Sequence, residues 1–590
     1  MKSFLFGSYC LGIRNPKSAI RNPVGTELLR RRLVFVTALL LCVFVLAGCI
    51  VPVPSPDGPA DTFGLDFRLP PGSNTSGVMV FFIDGLNGEI FDQLLQAGEL
   101  PAFRKYFADR GLYTPRAIAN LPSVTLANLT SFATGRLPGN HGIVGVNWFD
   151  RNQLIWRDYA EIRQKNKLDE DYGAATLFER LGDRTTAAVF FQPHRGATRW
   201  IENWTSAGPP FYFGWYEFID RLTLYRLNMI ANIARVRHEF PALTVCYLLA
   251  PDFYAYAHGV KSAQYRDAIR HSDRQIGRVL GDLERAGLLD KVHIAVISDH
   301  SLGEVSRHCP IRPLLRRMGL DVAHEDLWEK YSFEKRMEYF RRFSTVVYGS
   351  GDRYAPISLR RPIRRDGKVV GLEAWPVRPR PEDLRAYPAL RPPKPAGLAG
   401  LFAPPPQPVE VDLIAELLKE EAVDALAWPA GPEKVRLRRR GGEVEFAAAA
   451  GMIRYRVISG SDVLGWKGHV PDDVLAGTRP ATGRQWLAWT HPTQFPDLPE
   501  QLLAYFRARR AGDLVAFAAE GWDLNSHNRA GHGGLLPSDV AVPVLLAGPR
   551  VPHGRLGPVR VIDMSATILE LLGKPVPAEL DGQSLLGAKK

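Results

Sequence analysis

Cysteine is scarce in this sequence. The 590 residues include five cysteines, and only Cys246 and Cys309 lie beyond residue 50. Two thiols cannot form the dense disulfide framework of a small secreted domain, so that class of protein is excluded. Cys246 lies in the apolar run 243–249, where we expect a small buried side chain and not a catalytic thiol.

A large excess of charge of one sign is also absent. The chain has 74 Lys and Arg against 62 Asp and Glu, a net charge of +12. Half of this excess comes from residues 1–48, which hold seven basic side chains and one acidic side chain. No known nucleic-acid-binding motif occurs, so no nucleic acid partner is expected. With 46% hydrophobic residues, the chain is too apolar to be disordered and must bury a large core.

An apolar run over residues 33–46 follows three arginines and ends in Ala47, Gly48 and Cys49. This order resembles the signal peptide and lipobox of a bacterial lipoprotein. The resemblance implies cleavage before Cys49, lipid attachment to its thiol, and a place in the cell envelope outside the cytoplasm. Ile50 follows the cysteine where an Asp would retain the protein, which favours the outer membrane, facing the periplasm. An uncleaved membrane anchor is the alternative.

The chain can be divided by its composition and by its pattern of apolar residues. We interpret residues 1–48 as a leader with a signal peptide, and the proline-rich residues 49–76 as a tether. From residue 77 short apolar runs alternate with helical patterns, which is typical of parallel strands covered on both faces. The pattern predicts a doubly wound α/β core over residues 77–320 and 501–590.

Residues 321–500 differ from that pattern. A proline-dense segment precedes an alternating hairpin at residues 434–446, so we interpret this part as an inserted α+β cap. The arginine cluster 436–440 would lie opposite Glu443 and Glu445 on a solvated face of the hairpin. Binding of an anionic partner is the alternative for these arginines.

Several polar residues lie at the ends of predicted strands or just before one. Open α/β sheets bind ligands at the carboxyl ends of their strands. Carboxylates and imidazoles together are ligands of zinc and similar divalent ions. A single aspartate at a strand end is often only a helix cap, so the prediction of a metal site depends on the whole set: Asp84, Asp252, Asp299, His300 and His532.

A longer motif makes the prediction specific. Residues 121–128 read Leu-Pro-Ser-Val-Thr-Leu-Ala-Asn, and residues 134–143 read Thr-Gly-Arg-Leu-Pro-Gly-Asn-His-Gly-Ile. With Asp84-Gly85, Pro251-Asp252, Ser298-Asp299-His300 and Gly531-His532-Gly533, this order resembles the nucleotide pyrophosphatase/phosphodiesterase family (type I phosphodiesterases) of the alkaline phosphatase superfamily. The matching residues lie within 77–310 and 500–590.

The resemblance implies an alkaline-phosphatase-like core that binds two divalent metal ions, most readily zinc. Thr125 would be the catalytic nucleophile and would form a phosphothreonine intermediate. One ion would bind Asp84, Asp299, His300 and Thr125, and the other would bind Asp252, His532 and a further histidine. A threonine hydroxyl needs such activation, because it is a weak nucleophile at neutral pH. A helix cap is the alternative role for Thr125.

The sequence departs from the family pattern at two positions. Tyr256 stands where the family has a histidine ligand, and His258 follows two residues later. Either His258 replaces that ligand through a local shift, or this metal site is weakened; ligation by the phenolate of Tyr256 is a further alternative, disfavoured by its high pKa. Val146 stands at the spacing of the family's catalytic asparagine, and the adjacent Asn147 is the candidate replacement.

We therefore expect an enzyme that hydrolyses small-molecule phosphate esters, either phosphodiesters and pyrophosphates or monoesters. A sulfatase is not expected, because the sequence after Thr125 lacks the sulfatase motif C/S-x-P-x-R. Two alternatives remain at this stage: a phosphotransferase of the same superfamily, and a catalytically degenerate envelope lipoprotein that binds without turnover.

Overall fold

The computed structural model describes residues 62–587, apart from 162–163, 203, 324–330, 350, 391–407 and 526. The predicted leader 1–48, the lipidation residue Cys49 and the tether up to residue 61 therefore lie outside the described residues. Within the described residues, none of the helices combines the length and the apolar character needed to cross a membrane.

The helices and strands are numbered in chain order over the described residues. The strands up to residue 320 are β1 (Val78–Ile83), β2 (Leu112–Ile118), β3 (Asn147–Asp150), β4 (Ile155–Asp158), β5 (Thr186–Val189), β6 (Arg199–Ile201), β7 (Leu243–Leu248), β8 (His293–Ile297) and β9 (Gly303–His308). The α-helices of this part are α1 (Gly88–Gln96), α2 (Pro101–Phe103), α3 (Thr125–Thr134), α4 (Pro138–His141), α5 (Leu168–Asp171), α6 (Leu177–Arg180), α7 (Trp204–Tyr212), α8 (Tyr216–Tyr225), α9 (Leu227–Arg237), α10 (Ala250–His258), α11 (Ala263–Arg285) and α12 (Ile311–Arg317).

The strands that follow are β10 (Thr345–Val347), β11 (Tyr354–Leu359), β12 (Pro362–Arg365), β13 (Lys368–Leu372), β14 (Tyr387–Leu390), β15 (Pro408–Val411), β16 (Val423–Gly431), β17 (Lys434–Arg439), β18 (Gly442–Ala449), β19 (Met452–Gly460), β20 (Ala481–Thr482), β21 (Leu514–Ala518), β22 (Gly521–Asp523), β23 (Ala530–Gly531), β24 (Ala541–Ala547) and β25 (Gly554–Arg555). The remaining α-helices are α13 (Phe333–Phe340), α14 (Leu413–Leu417), α15 (Asp472–Leu475), α16 (Gly483–Thr490), α17 (Leu498–Arg507), α18 (Pro537–Val540) and α19 (Asp563–Leu571). A π-helical turn spans Arg104–Ala108, and 3₁₀ turns span Lys165–Lys167, Pro381–Arg385 and Leu585–Gly587.

The central sheet has eight strands in the order β25-β2-β24-β8-β1-β7-β5-β6. The five strands from β8 to β6 are parallel, and β24 runs antiparallel to both of its neighbours. Strand β1 lies between β8 and β7 in this parallel group, and all six of its residues are apolar and buried, as expected for a strand covered on both faces. The mainly parallel sheet flanked by helices confirms the predicted fold class.

Helices cover both faces of this sheet. Along β1 the side chains alternate between faces, as in any strand. Val78, Val80 and Phe82 belong to the core packed under α3, α6 and α19. Met79, Phe81 and Ile83 belong to the core packed under α1, α9 and α11. The covered faces leave the two ends of the sheet for a ligand site.

A second sheet of eight strands is antiparallel and has the order β10-β11-β21-β16-β17-β18-β19-β20. One of its faces shares the core of α3 and the central sheet, and the other packs on α12 and α14. This α+β unit occupies most of the predicted cap. Strand β21 also belongs to it, although it lies in the segment 501–590 predicted to return to the central core. Its short apolar sequence does not specify which sheet it joins.

Two local features differ from the sequence interpretation. The described end of the tether packs on the core, because Phe63, Leu65 and Phe67 are buried and the amides of Phe63 and Leu65 donate to Asp282 of α11. In the hairpin β17–β18 the register does place arginines opposite Glu443 and Glu445, as predicted. However, the two glutamates are buried beneath the arginines, so the face is not fully solvated.

Candidate metal and nucleophile site

Three adjacent parallel strands end at the candidate site. The strands β7, β1 and β8 lie side by side in the central sheet and run in the same direction. Asp84 directly follows β1, Asp252 lies in the first turn of α10 after β7, and Asp299 and His300 follow β8. Parallel neighbours place their carboxyl ends at one edge, so the order of the strands brings these side chains together.

The backbone next to Asp84 passes close to Asp252, and a glycine makes this approach possible. Gly85 has a φ of 67°, in the left-handed region. A Cβ atom at Gly85 would lie 2.9 Å from Cβ of Asp252. Glycine is therefore required here, because a side chain at residue 85 would push Asp252 away from Asp84.

Thr125 is the first residue of α3. The N-cap is Val124, which makes no side-chain cap hydrogen bond, so Thr125 does not cap the helix as its alternative role would require. Oγ1 of Thr125 lies 3.1 Å from Nε2 of His300. The preceding turn is fixed by Asn128, whose amide group donates to the carbonyls of Asn120, Pro122 and Val124. Asn128 thus positions the nucleophile candidate.

Thr125, Asp84, Asp299 and His300 form one compact group. Nε2 of His300 lies 3.2 Å from Oδ1 of Asp84 and 3.5 Å from Oδ2 of Asp299. Tetrahedral zinc with bonds of about 2.0–2.1 Å requires its ligand atoms to be about 3.3 Å apart. The observed separations therefore match the ligand shell of such an ion, and the three His and Asp residues offer atoms that all lie within 4.8 Å of one another.

The two carboxylates of this group are held in the same way. Asp299 uses Oδ1 to accept from the backbone amides of Gly85 and His300. Asp84 uses Oδ2 to accept from the hydroxyl of Tyr247. The other oxygens, Oδ1 of Asp84 and Oδ2 of Asp299, are buried without a hydrogen-bond partner. Buried oxygens that lack donors fit a cation.

Asp252, His300 and His532 form a second, overlapping group. Oδ1 of Asp252 is also buried without a hydrogen-bond partner. The rings of His300 and His532 are stacked, with their centroids 3.5 Å apart. The ring of Tyr256 lies 5.9 Å from that of His532.

The protonation of the histidines suits metal binding. Nδ1 of His532 contacts the carbonyl oxygen of Ser123, and Nδ1 of His300 contacts that of Ser301. A carbonyl only accepts, so Nδ1 carries the proton and Nε2 keeps a lone pair in both rings. Burial lowers the pKa of both histidines, and for His532 the adjacent imidazole of His300, which would repel a second positive charge, lowers it further. Neutral imidazoles are the ligand form.

The carboxylates show the opposite shift. Burial raises the pKa of Asp84, Asp252 and Asp299, and for Asp252 and Asp299 the negative charge of Asp84 raises it further. Burial and like charge both disfavour the charged form of these carboxylates, and the positive charge of a bound cation would offset both effects. The arrangement is therefore costly without a cation and suited to holding one.

A loop of the second sheet fixes His532. The backbone of Gly351 accepts from the amide of His532 at 2.6 Å, and the amide of Arg353 donates to the carbonyl of His532 at 3.0 Å. The side chain of Asp352 accepts from the amide groups of Asn525 and Asn528. This loop lies between β10 and β11, so the cap itself positions a candidate metal ligand.

The structure does not bring every predicted residue to the site. His258 is exposed at the end of α10 and stacks on Tyr254 at 6.2 Å. At about 100° per residue, a side chain six positions after Asp252 is turned far from it, whereas one four positions after, Tyr256, shares its face. Oδ1 of Asn147 accepts from the amide of Gly349 at 2.9 Å, and Asn147 makes no hydrogen bond to Thr125 in the described part of the chain.

Sequence reasoning missed three supporting residues. They are Tyr247, which donates to Asp84, Asn128, which fixes the turn before Thr125, and Asp352 of the loop beside His532. Asn128 lies three residues after Thr125 within the recognised motif, and that spacing was a usable signal. For Tyr247 and Asp352 the sequence carried no local signal, because their partners are more than 150 residues away.

Comparison with known protein families gives a match over the first part of the chain. Residues 78–353 match the family model of type I phosphodiesterases and nucleotide pyrophosphatases. This confirms the resemblance inferred from the motif residues.

Individual relatives are distant. An uncharacterized pyrophosphatase/phosphodiesterase of Schizosaccharomyces pombe is 24% identical over 45% of this chain and 55% of its own length. Ectonucleotide pyrophosphatase/phosphodiesterase family member 1 of Mus musculus is 24% identical over 43% of this chain and 26% of its own length. A bis(5'-adenosyl)-triphosphatase of Xenopus laevis is 21% identical over 46% of this chain and 53% of its own length. The chain thus spans about half or less of the length of these relatives.

Proposed function

We propose that this chain, whose residues 78–353 belong to the type I phosphodiesterase / nucleotide pyrophosphatase family, is a metal-dependent hydrolase of phosphate esters. The substrate class is phosphodiesters or pyrophosphates. The observation that carries the proposal is the position of Nε2 of His300, which keeps a lone pair. It lies 3.1 Å from Oγ1 of Thr125 and within 3.5 Å of two carboxylate oxygens, of Asp84 and Asp299, that have no hydrogen-bond donor.

Thr125 would act as the nucleophile. Its Oγ1 attacks the phosphorus and loses its proton, the bond from phosphorus to the leaving oxygen breaks, and the first alcohol departs carrying that proton. Water then attacks the same phosphorus and breaks its bond to Oγ1, which takes a proton from the water, so that the phosphate monoester is released and the hydroxyl is restored. The covalent intermediate divides one difficult displacement into two easier steps.

The chain's own groups support these steps. Helix α3 begins at Thr125, so the positive end of its dipole lies at the nucleophile and favours the charge of the bound phosphate. Asn128 holds the turn that carries the hydroxyl. Asp84, Asp299 and His300 would hold a divalent cation through Oδ1, Oδ2 and Nε2. That cation would supply the positive charge that lowers the pKa of the threonine hydroxyl and neutralises phosphate oxygens.

Zinc is the cation that we propose, because the donors are imidazole and carboxylate groups at tetrahedral separations.

We also propose that the chain is anchored by a lipid on Cys49 to the outer membrane, facing the periplasm. The lipobox-like residues 46–49 support this placement.

Hydrolysis of bis(4-nitrophenyl) phosphate tests the function. Protein stripped with a chelator should release nitrophenol only after zinc is added, and Asp299→Asn should lose most of this activity. His258→Ala is the matched control, since its side chain is exposed, and it should keep the wild-type rate. Equal rates for stripped and zinc-loaded protein would contradict the proposal. Transfer of the phosphoryl group to an added alcohol, in place of water, would indicate a phosphotransferase.

A further inference from the structure

The two candidate metal positions share one ligand atom. Both groups of His and Asp residues include His300. Its Nδ1 faces the carbonyl of Ser301, so Nε2 is the one ring nitrogen left with a lone pair. A lone pair binds one cation at a time.

That lone pair is directed at the first group. Nε2 of His300 lies within 3.1–3.5 Å of Thr125, Asp84 and Asp299. These three distances from Nε2 match the ligand-to-ligand separations of one tetrahedral zinc shell. An ion bound in this group therefore occupies the lone pair of Nε2, which is then not available to the second group.

Among the described residues, the second position then keeps two His and Asp ligands, Asp252 and His532. Structural and catalytic zinc sites hold the ion with at least three protein ligands, drawn from Cys, His, Asp and Glu. The place for a third ligand is occupied by Tyr256, which lies one helical turn after Asp252 on α10, with its ring 5.9 Å from that of His532. A phenol is not among the preferred zinc ligands.

We propose that the chain binds one divalent cation tightly, at Asp84, Asp299 and His300, and a second one only weakly, at Asp252 and His532. This inference rests on the proposed metal-dependent function. The second cation then binds at working concentration only when a substrate oxygen completes its shell. We expect its affinity to be lower by about 100-fold or more, because even an outer-shell partner contributes about 10–100-fold.

Metal stoichiometry tests the inference without reference to activity. Chelator-stripped protein is titrated with zinc by calorimetry, and metal per chain is measured after gel filtration. We expect one tight ion for the wild type and none for Asp299→Asn. Two tight ions of similar affinity in the wild type would overturn the inference.

A single substitution provides the complementary test. Tyr256→His places an imidazole on the face of α10 that carries Asp252, and should raise the stoichiometry from one tight ion to two. Tyr256→Phe is the matched control for loss of the hydroxyl and should remain at one. If Tyr256→His folds, as judged by its thermal melting curve, and still binds one ion, the role given to Tyr256 is wrong. If it does not fold, the wild-type titration alone decides.

The inference and the proposed function can fail separately. Wild-type protein that retains one tight ion and hydrolyses no phosphate ester contradicts the function but supports the stoichiometry. Protein that hydrolyses bis(4-nitrophenyl) phosphate with two tight ions supports the function and contradicts the inference.

Discussion

Buried carboxylates are treated differently in the two sheets. In the second sheet Glu443 accepts from Arg436, Arg438 and Arg385, and Glu445 accepts from Arg436 and Arg456. At the end of the central sheet, Asp84, Asp252 and Asp299 form no ion pair with Arg or Lys among the described residues. The same chemical group is compensated by the protein in one region and left uncompensated in the other.

The difference distinguishes carboxylates that the fold pairs with arginines from carboxylates that it leaves available to a cation. A buried carboxylate needs a charge partner or hydrogen bonds to offset the loss of water. The arginines supply that partner in the second sheet, so the charge of its glutamates is compensated within the fold. In the central sheet each aspartate keeps an oxygen without a donor, so a cation from solution can serve as its partner. The predictions below test this contrast by changing one region at a time.

The largest effect on stability is expected in the second sheet. Glu443→Gln removes the charge that three arginines share, and should lower the free energy of unfolding by about 2 kcal/mol. This loss of stability is smaller than for a fully buried ion pair, because the guanidinium groups of the arginines are partly exposed to solvent. Urea unfolding of the metal-free protein measures it, and hydrolysis should be unchanged. A variant as stable as the wild type would show that these pairs do not stabilise the sheet.

Next in size is the effect of Tyr247 on metal binding. Tyr247→Phe removes the hydroxyl that donates to Asp84, and should weaken zinc binding by about tenfold, since outer-shell donors orient the ligand. Competition with a coloured chelator measures the affinity. The matched control is Tyr455→Phe, which removes a tyrosine donor to Asp462 in the second sheet. Equal zinc affinities for both variants would rule out the positioning role of Tyr247.

The smallest expected effect is an increase in stability, for a substitution of Asp252. Burial and the nearby charges of Asp84 and Asp299 raise the pKa of Asp252, so its ionised form opposes folding without metal. Asp252→Asn should therefore raise the free energy of unfolding of metal-free protein at neutral pH, by about 1 kcal/mol. Asp462→Asn is the control, because Asp462 accepts from Tyr455 and from two backbone amides, and it should be destabilised. A loss of stability in both variants would remove the contrast between the two regions.

The same contrast explains what the sequence could predict. Asp84, Asp252, Asp299 and His300 follow apolar strands, and parallel strands of one sheet end at one edge, so their meeting was predictable from local patterns. His258 was misplaced because α10 continues as a regular helix through it and turns it outward. The loop beside His532, which contains Asp352, was missed because its contacts join segments about 180 residues apart. No local pattern encodes such a contact.

Paired substitutions of Thr125 test the central claim most directly. Thr125→Ser keeps a hydroxyl at the start of α3, and Thr125→Ala removes it. We predict that the serine variant hydrolyses bis(4-nitrophenyl) phosphate within about tenfold of the wild-type rate. The alanine variant should lose about 10³-fold or more while still binding zinc through Asp84, Asp299 and His300. An alanine variant that binds zinc and hydrolyses the substrate as fast as the serine variant would contradict the account.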